Sequence, residues 1–444
     1  MVNAHEVKEA AVRRILLNSI KRNDELAAEE LGVSLERFQA FMSGSNADAI
    51  DILARAVDKW PVSEREFFAV RDDAPSGFVK MSAAASKSSE RCIARRGERY
   101  FNYRDSAMST VSPIRPELVE MLVTVNDADP SNPAVRWNTG HFFYQITYFV
   151  GKVNFYYEDR GNRVCVEMNT GDSSFLGRYI PHSFAKRSDE EAYILALTFA
   201  GPLYGDAQSE LSTLPDSAAQ RLAGNVTSKG YLPLRDLAGD ASLPLDELSR
   251  LADIEPSRIE AIAAGEVDMT DGERLKIASA LRVSPIELLP REVMPPDSQV
   301  LHAGSNRTWR IGSNLTVKEL AGSLTTPFAR ALEFSVGGDK EQRSDIETRL
   351  HQFFYNIGHT SVEVEIASED ANTTVVLEPH ASLYVKPYVR VAFQATEGPG
   401  SGSNKGKLLA LRVAGNLYGT TNIEALGCGE AALTRLRKDA ALWY

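Results

Sequence analysis

Cysteine is scarce in this chain, with Cys92, Cys165 and Cys428 the three among 444 residues. They form no CxxC pair and leave an odd thiol over, which excludes a disulfide framework and a cysteine-built zinc site and fits a reducing compartment. Long apolar runs are missing as well. No stretch approaches the roughly 18 apolar residues that a membrane-spanning helix needs. The opening residues, Met1 to Ala10, lack the basic and apolar regions of a secretory signal, so the expected location is cytoplasmic. An excess of positive charge is also absent: 49 Lys and Arg stand against 60 Asp and Glu, a net charge of −11. That balance argues against non-specific attraction to nucleic acid or to an anionic membrane surface. An anionic small substrate would need a few cations gathered at its pocket.

What is present is the material of a globular protein, with 43% hydrophobic and 25% charged residues and enough chain for roughly two to four domains. The chain reads as if written twice. The block from Leu26 to Gly44 returns as Leu248 to Gly265, with Val33 matched by Ile254, Phe38 by Ile259, Phe41 by Ile262 and Gly44 by Gly265. A second amphipathic helix follows each block, around Ile50–Val57 and Leu275–Leu281, and then a similar segment, Val62–Phe68 or Val283–Leu289. Apolar residues three and four apart with Gly at the turns predict compact helix-turn-helix bundles. The β-rich parts repeat too: Tyr148–Phe155 aligns with Tyr355–Val362, and the strand before Pro181 aligns with Tyr384–Phe393.

The expected organisation is α+β, a tandem repeat of a helix-turn-helix-like α-domain followed by a small barrel. Its expected boundaries are 1–75, 90–205, 225–292 and 300–444. Ser- and Lys-rich 83–90 reads as a linker, the stretch 205–230 as the join between halves, and Gly- and Ser-rich 397–406 as a long hairpin loop. A helix-turn-helix fused to a barrel is also a common regulator layout. Residues 1–60 carry 8 Lys and Arg against 10 Asp and Glu, and residues 231–290 carry 6 against 12. Neither block offers the basic face of a DNA-binding module, so the expectation is no nucleic-acid partner.

The chemistry-bearing residues are His141 and Gln145, four apart, and His182 at the end of Tyr179-Ile-Pro-His182. The run from His141 to Val150 is dense in aromatic and β-branched residues and predicts a strand. Side chains four apart on a strand share a face. With His182 from a neighbouring strand they make a three-ligand metal site that leaves positions open for substrate and oxygen. The usual oxygen-activating iron site has two His and one carboxylate, whereas here a neutral amide holds the third place. The spacing fits equally a core histidine plus a loop histidine in an unrelated fold. In the second copy Thr348, Gln352 and Val391 take the places of His141, Gln145 and His182, so a single metal site is expected.

Taken together, Phe101-Asn-Tyr103, Asn138-Thr-Gly-His141, Pro181-His182-Ser-Phe184 and Lys21 resemble the phosphonate-processing nonheme-iron oxygenases of the cupin superfamily. The group includes hydroxyethylphosphonate dioxygenase, methylphosphonate synthase and hydroxypropylphosphonate epoxidase, and the resemblance covers essentially the whole chain. It implies cupin barrels, Fe(II) as cofactor, and His141 and His182 as ligands. It further implies that Lys21, Arg95, Tyr103 and Asn138 hold a phosphonate, with Tyr103 and Lys21 acting in catalysis. Apart from it, Lys21 and Arg95 read as solvated surface charges. The dioxygenase has a glutamate ligand where this chain has Leu176, and leucine cannot bind metal. Gln145 in the third place matches the synthase branch, and it also fits an interior amide bonded to the backbone. The implied reaction is O₂-dependent cleavage of the carbon–carbon bond of 2-hydroxyethylphosphonate to methylphosphonate and carbon dioxide or bicarbonate. The alternatives are the dioxygenase products, hydroxymethylphosphonate and formate, and a regulator. A homo-oligomer is left open.

Overall fold

The computed structural model describes residues 4–444 apart from 46, 48, 225, 228–229, 294–296, 339–344, 369–371, 397–404, 439–440, 442 and 444. The chain is a mixed α and β protein whose named strands pair antiparallel. It divides into two compact units, residues 1–201 with 298–444, and residues 202–297.

The larger unit opens with helices α1 (Ala4–Ser19), α2 (Asp24–Leu31), α3 (Leu35–Met42) and α4 (Ala49–Lys59). The side chains of Asn23 and Ser34 accept the N–H groups of Leu26 and Arg37, satisfying donors that the starts of α2 and α3 leave orphaned. Ala27, Leu31, Phe38, Phe41, Ile52 and Ala56 are buried in one cluster. Arg13, itself fully buried, donates to the carbonyls of Phe67 and Phe41 and to Glu9. Gly44 has φ 100, and a Cβ there would stand 2.5 Å from the Glu6 carbonyl oxygen, so this turn requires glycine.

The smaller unit repeats the plan. Helices Leu245–Ala252, Pro256–Ala263 and Asp271–Leu281 stand at a constant offset, within one residue, from α2, α3 and α4. Leu248, Ile259, Ile262 and Ile277 form its core.

The rest of the larger unit is two pairs of sheets and a last helical segment, Thr420–Lys438. In its first half, β1 (Phe78–Met81) is followed by helix α5 (Ala83–Ser88) and strands β2 (Arg91–Arg95), β3 (Glu98–Asp105), β4 (Ile114–Met121), β5 (Tyr144–Val150), β6 (Val153–Asp159), β7 (Asn162–Met168), β8 (Ser173–Leu176), β9 (His182–Lys186) and β10 (Tyr193–Phe199). The Ser- and Lys-rich run read as a linker is therefore helical over 83–88. The Ser82 hydroxyl caps α5 by accepting the Ala85 N–H. The hairpin expected over 397–406 lies outside the described residues up to 404.

A seven-stranded sheet in the order Ser298–Leu301, β8, β5, β10, β4, β3, β2 packs on a three-stranded sheet, β7, β6, β9. Phe101, Phe149, Phe155, Leu176 and Phe184 fill the space between them. The opposite face of β5, with Ile146 and Tyr148, packs on Phe353, Tyr355, Leu409 and Leu411 of the second half. The second half repeats the arrangement with a seven-stranded and a four-stranded sheet. Each half lends the other an edge strand: β1 pairs with Ser382–Val385, and Ser298–Leu301 pairs with β8. Exchanged strands cover edges that would otherwise present unpaired backbone groups. The registers coincide. Gln145 lies opposite Leu176 as Gln352 lies opposite Val385, and Tyr157 opposite His182 as Ile366 opposite Val391.

Candidate metal and substrate site

His141 is not on a strand, contrary to the expectation of one running from His141 to Val150, because β5 begins only at Tyr144. Long-range contacts hold it instead. Gly140 has φ 77, and a Cβ there would meet the Tyr179 carbonyl carbon at 2.3 Å. The Tyr179 N–H donates to the His141 carbonyl at 2.9 Å. The Asn138 side-chain oxygen accepts the N–H of Gly140 (3.0 Å) and of His182 (2.8 Å), and the Asn138 N–H returns to the His182 carbonyl at 3.2 Å. Two segments remote in sequence are thus stitched together with both histidines between them.

The imidazoles stand edge to face, centroids 5.1 Å apart. Nδ1 of His141 lies 2.8 Å from the Phe143 carbonyl oxygen, and Nδ1 of His182 lies 2.9 Å from that of Ile180. A carbonyl can only accept, so each Nδ1 carries a hydrogen, and the lone pair of such a ring, when neutral, is at Nε2. Burial pushes the His182 pKa down to about 3, with His141 and Arg95 adding to the shift and the Ile180 carbonyl opposing it. His182 is therefore neutral at ordinary pH.

Gln145 is buried on the inward face of β5. Its Oε1 stands 3.2 Å from Nε2 of His141, while its Nε2 donates to the Thr147 hydroxyl at 2.9 Å. With its nitrogen on Thr147, the amide turns its oxygen towards His141. An amide oxygen and an imidazole lone pair facing each other are two donors suited to one cation, and the carbonyl bonds at each Nδ1 are the outer support that metal-binding histidines use. The donor set fits a divalent metal. Leu176, 1% exposed, sits opposite Gln145, and among the described residues no group of three His, Cys, Asp and Glu side chains could hold a metal.

Arg95 and Tyr103 come to the same region. The Arg95 guanidinium donates to the Arg136 carbonyl at 2.6 Å and lies 4.8 Å above the Phe101 ring. Burial pushes the Tyr103 phenol up, and neighbouring Arg95 pulls the other way. Asn138 Nδ2 is 3.1 Å from Nε2 of His182. Lys21 stands apart: it is exposed at the end of α1 with φ 57, and no hydrogen bond, ion pair or ring contact joins its side chain to these six residues. Thr147, which orients Gln145, escaped the sequence reading. The signal was available, since Gln145 and Thr147 are the polar pair on one face of an otherwise apolar strand.

No family model matches the chain. A curated relative, methylphosphonate synthase of Nitrosopumilus maritimus, is 33% identical over 437 residues, covering 97% of this chain and 94% of the relative. Among solved structures, Streptomyces albus HEPD with 2-hydroxyethylphosphonate and Fe(II) bound is 33% identical with TM-score 0.89, covering 99% of both chains. A hydroxyethylphosphonate dioxygenase variant, 19% identical with TM-score 0.73 over 96% of this chain and 99% of that one, shares the fold. These likenesses put the chain among the nonheme iron oxygenases. It belongs to the family of methylphosphonate synthase.

Proposed function

We propose that this enzyme uses Fe(II) and O₂ to cleave the carbon–carbon bond of 2-hydroxyethylphosphonate, giving methylphosphonate, carbon dioxide and water. The four electrons that reduce O₂ all come from the substrate, so no further reductant is required. The observation that carries the branch assignment is the pair Gln145 and Leu176, side by side on adjacent strands: an amide where a ligand is wanted and an aliphatic group where the dioxygenase has a carboxylate. The identity to the curated synthase supports it.

In this reading His141, His182 and Gln145 hold the iron, which when bound supplies a Lewis acid and redox partner for O₂. Neutral ligands leave the site with the metal's full positive charge, favourable to a chelating dianion. The Arg95 guanidinium and the Tyr103 hydroxyl hold the phosphonate by charge-assisted hydrogen bonds. Asn138 keeps the two histidine segments in register and presents its amide to the substrate. Burial keeps Tyr103 protonated, so it serves as a donor. Lys21 supplies a further cation and a proton source. The helical blocks are helix-turn-helix-like domains (1–75 and 225–292), and the sheet pairs are cupin barrels (90–205 and 300–444), the second without metal.

A second reading, formation of hydroxymethylphosphonate and formate, is favoured by the likeness to HEPD. The phosphorus-NMR spectrum of products separates the two, after anaerobic Fe(II) loading, addition of 2-hydroxyethylphosphonate and exposure to air. Methylphosphonate as main product supports the synthase reading; mostly hydroxymethylphosphonate sinks it.

A further inference from the structure

We propose that the second half binds a small oxyanion of the phosphate or phosphonate type on Arg412, Gln352 and Arg330, at the place where the first half carries its metal-site row. The correspondence is set by strand register. Across the first sheet a row runs Arg115, Thr198, Gln145, Leu176. Across the second, the row at the same place runs Arg330, Arg412, Gln352, Val385. Arg412 thus replaces Thr198 beside the retained glutamine. It shares a strand face with Leu408 and Ala410, which belong to the core between the second pair of sheets, and its guanidinium stands 5.8 Å from the ring centroid of Phe334 in that core.

Arg412 and Gln352 are joined but not satisfied. Arg412 Nε donates to Gln352 Oε1 at 3.1 Å. Arg412 Nη2 and Gln352 Nε2 are both buried without a hydrogen-bond partner, and Gln352 is 0% exposed. In the first half the matching amide nitrogen is met by Thr147, but the matching position here is Phe354, which has nothing to accept with.

Charge points the same way. Arg330 lies directly across the strand pair from Arg412, and like charges so placed are destabilising. Among the described residues neither arginine has a carboxylate partner; Arg330 Nη1 donates to its neighbour's carbonyl, that of Ala329, at 3.1 Å. Burial pushes the Arg412 pKa down, yet arginine stays charged in proteins. A half-buried cation with no carboxylate beside it and a second cation across the strand pair is costly unless an anion joins them. The free groups at the row are all donors, so the ligand must be all acceptor. With Thr348 and Val391 where the histidines stand in the first half, a cation has no ligands here. Exposed Arg330 marks the solvent side of the row.

The proposal is independent of the chemistry assigned to the first half, and its test keeps the two apart. Thermal unfolding is followed as inorganic phosphate replaces sodium chloride at constant ionic strength, in the wild type, Arg95→Ala, Arg412→Met and Arg330→Gln. Ligand binding to the folded state raises Tm with concentration. The wild type and Arg95→Ala should gain stability with phosphate, whereas Arg412→Met should keep at most the part of the gain that binding in the first half supplies. Without phosphate, Arg412→Met should be at least as stable as the wild type, because a half-buried charge without a carboxylate partner has gone; with phosphate the order should reverse. Arg330→Gln changes an exposed residue, so it keeps the test open if Arg412→Met does not fold. It should need about tenfold more phosphate for half the gain, the loss of one charge-assisted bond of about 1.5 kcal/mol. A gain undiminished in both variants, or none in the wild type, would overturn the site.

Discussion

The two halves of the larger unit share a register and differ in chemistry. Each places a buried glutamine on the inward face of a central strand, Gln145 and Gln352, opposite an aliphatic residue, Leu176 and Val385. Around that shared pair the first half has His141, Thr147 and His182, and the second has Thr348, Phe354 and Val391. Strand pairing depends on backbone hydrogen bonds and on which face is apolar, so it survives replacement of nearly every functional side chain. Function rests on a few side chains at the site rather than on the fold.

The comparison breaks most completely at the histidines. His182→Ala should remove iron and activity together, and metal analysis of the wild type should find one iron per chain; two would mean that the second half has a site of its own. The Leu176→Glu variant sharpens the contrast next, because it puts a carboxylate beside Gln145. It should bind iron and move the products from methylphosphonate towards hydroxymethylphosphonate, read as a ratio of phosphorus-NMR signals. An unchanged ratio would mean that this position does not set the branch.

Arg95→Ala should weaken substrate binding about 10- to 100-fold, from the roughly 1.5–3 kcal/mol of a hydrogen bond to a charged group, with iron content unaltered. A wild-type KM would place Arg95 outside the pocket. Thr147→Val, which makes the first half more like the second, removes a neutral hydrogen bond worth about 0.5–1.5 kcal/mol. Iron affinity should fall several-fold as Gln145 loses its orientation, and equilibrium metal titration measures it.

The smallest effect lies in the second half. Burial pushes the His351 pKa down to about 4, with Lys386 adding to the shift. The folded protein therefore resists protonation there while the unfolded chain accepts a proton near its ordinary pKa of about 6.5. The contribution to stability is complete above that value and declines as pH falls towards 4. His351→Phe should flatten the pH dependence of Tm across this window; an equally steep curve would assign the slope to other groups.

The repeated helical blocks were legible because a helix declares itself through apolar spacing within a dozen or so residues, and the matched offsets of the two blocks followed from that alone. His141, Gln145 and His182 stood out by residue type and order, and so did Thr348 and Val391 as their replacements. The sequence by itself thus determined the doubled plan and the residue types that stand at matching places in the two copies, since each depends on which residues occur and in what order. Only the tertiary structure decided that His141 sits before β5, held by the contact of Gly140 with Tyr179, and that Asn138 ties its segment to that of His182. It also decided that the halves exchange edge strands, and that Arg412 lies beside Gln352 with its charge unanswered. These are relations between residues remote along the chain, and cross-strand register brings together side chains that no local pattern links.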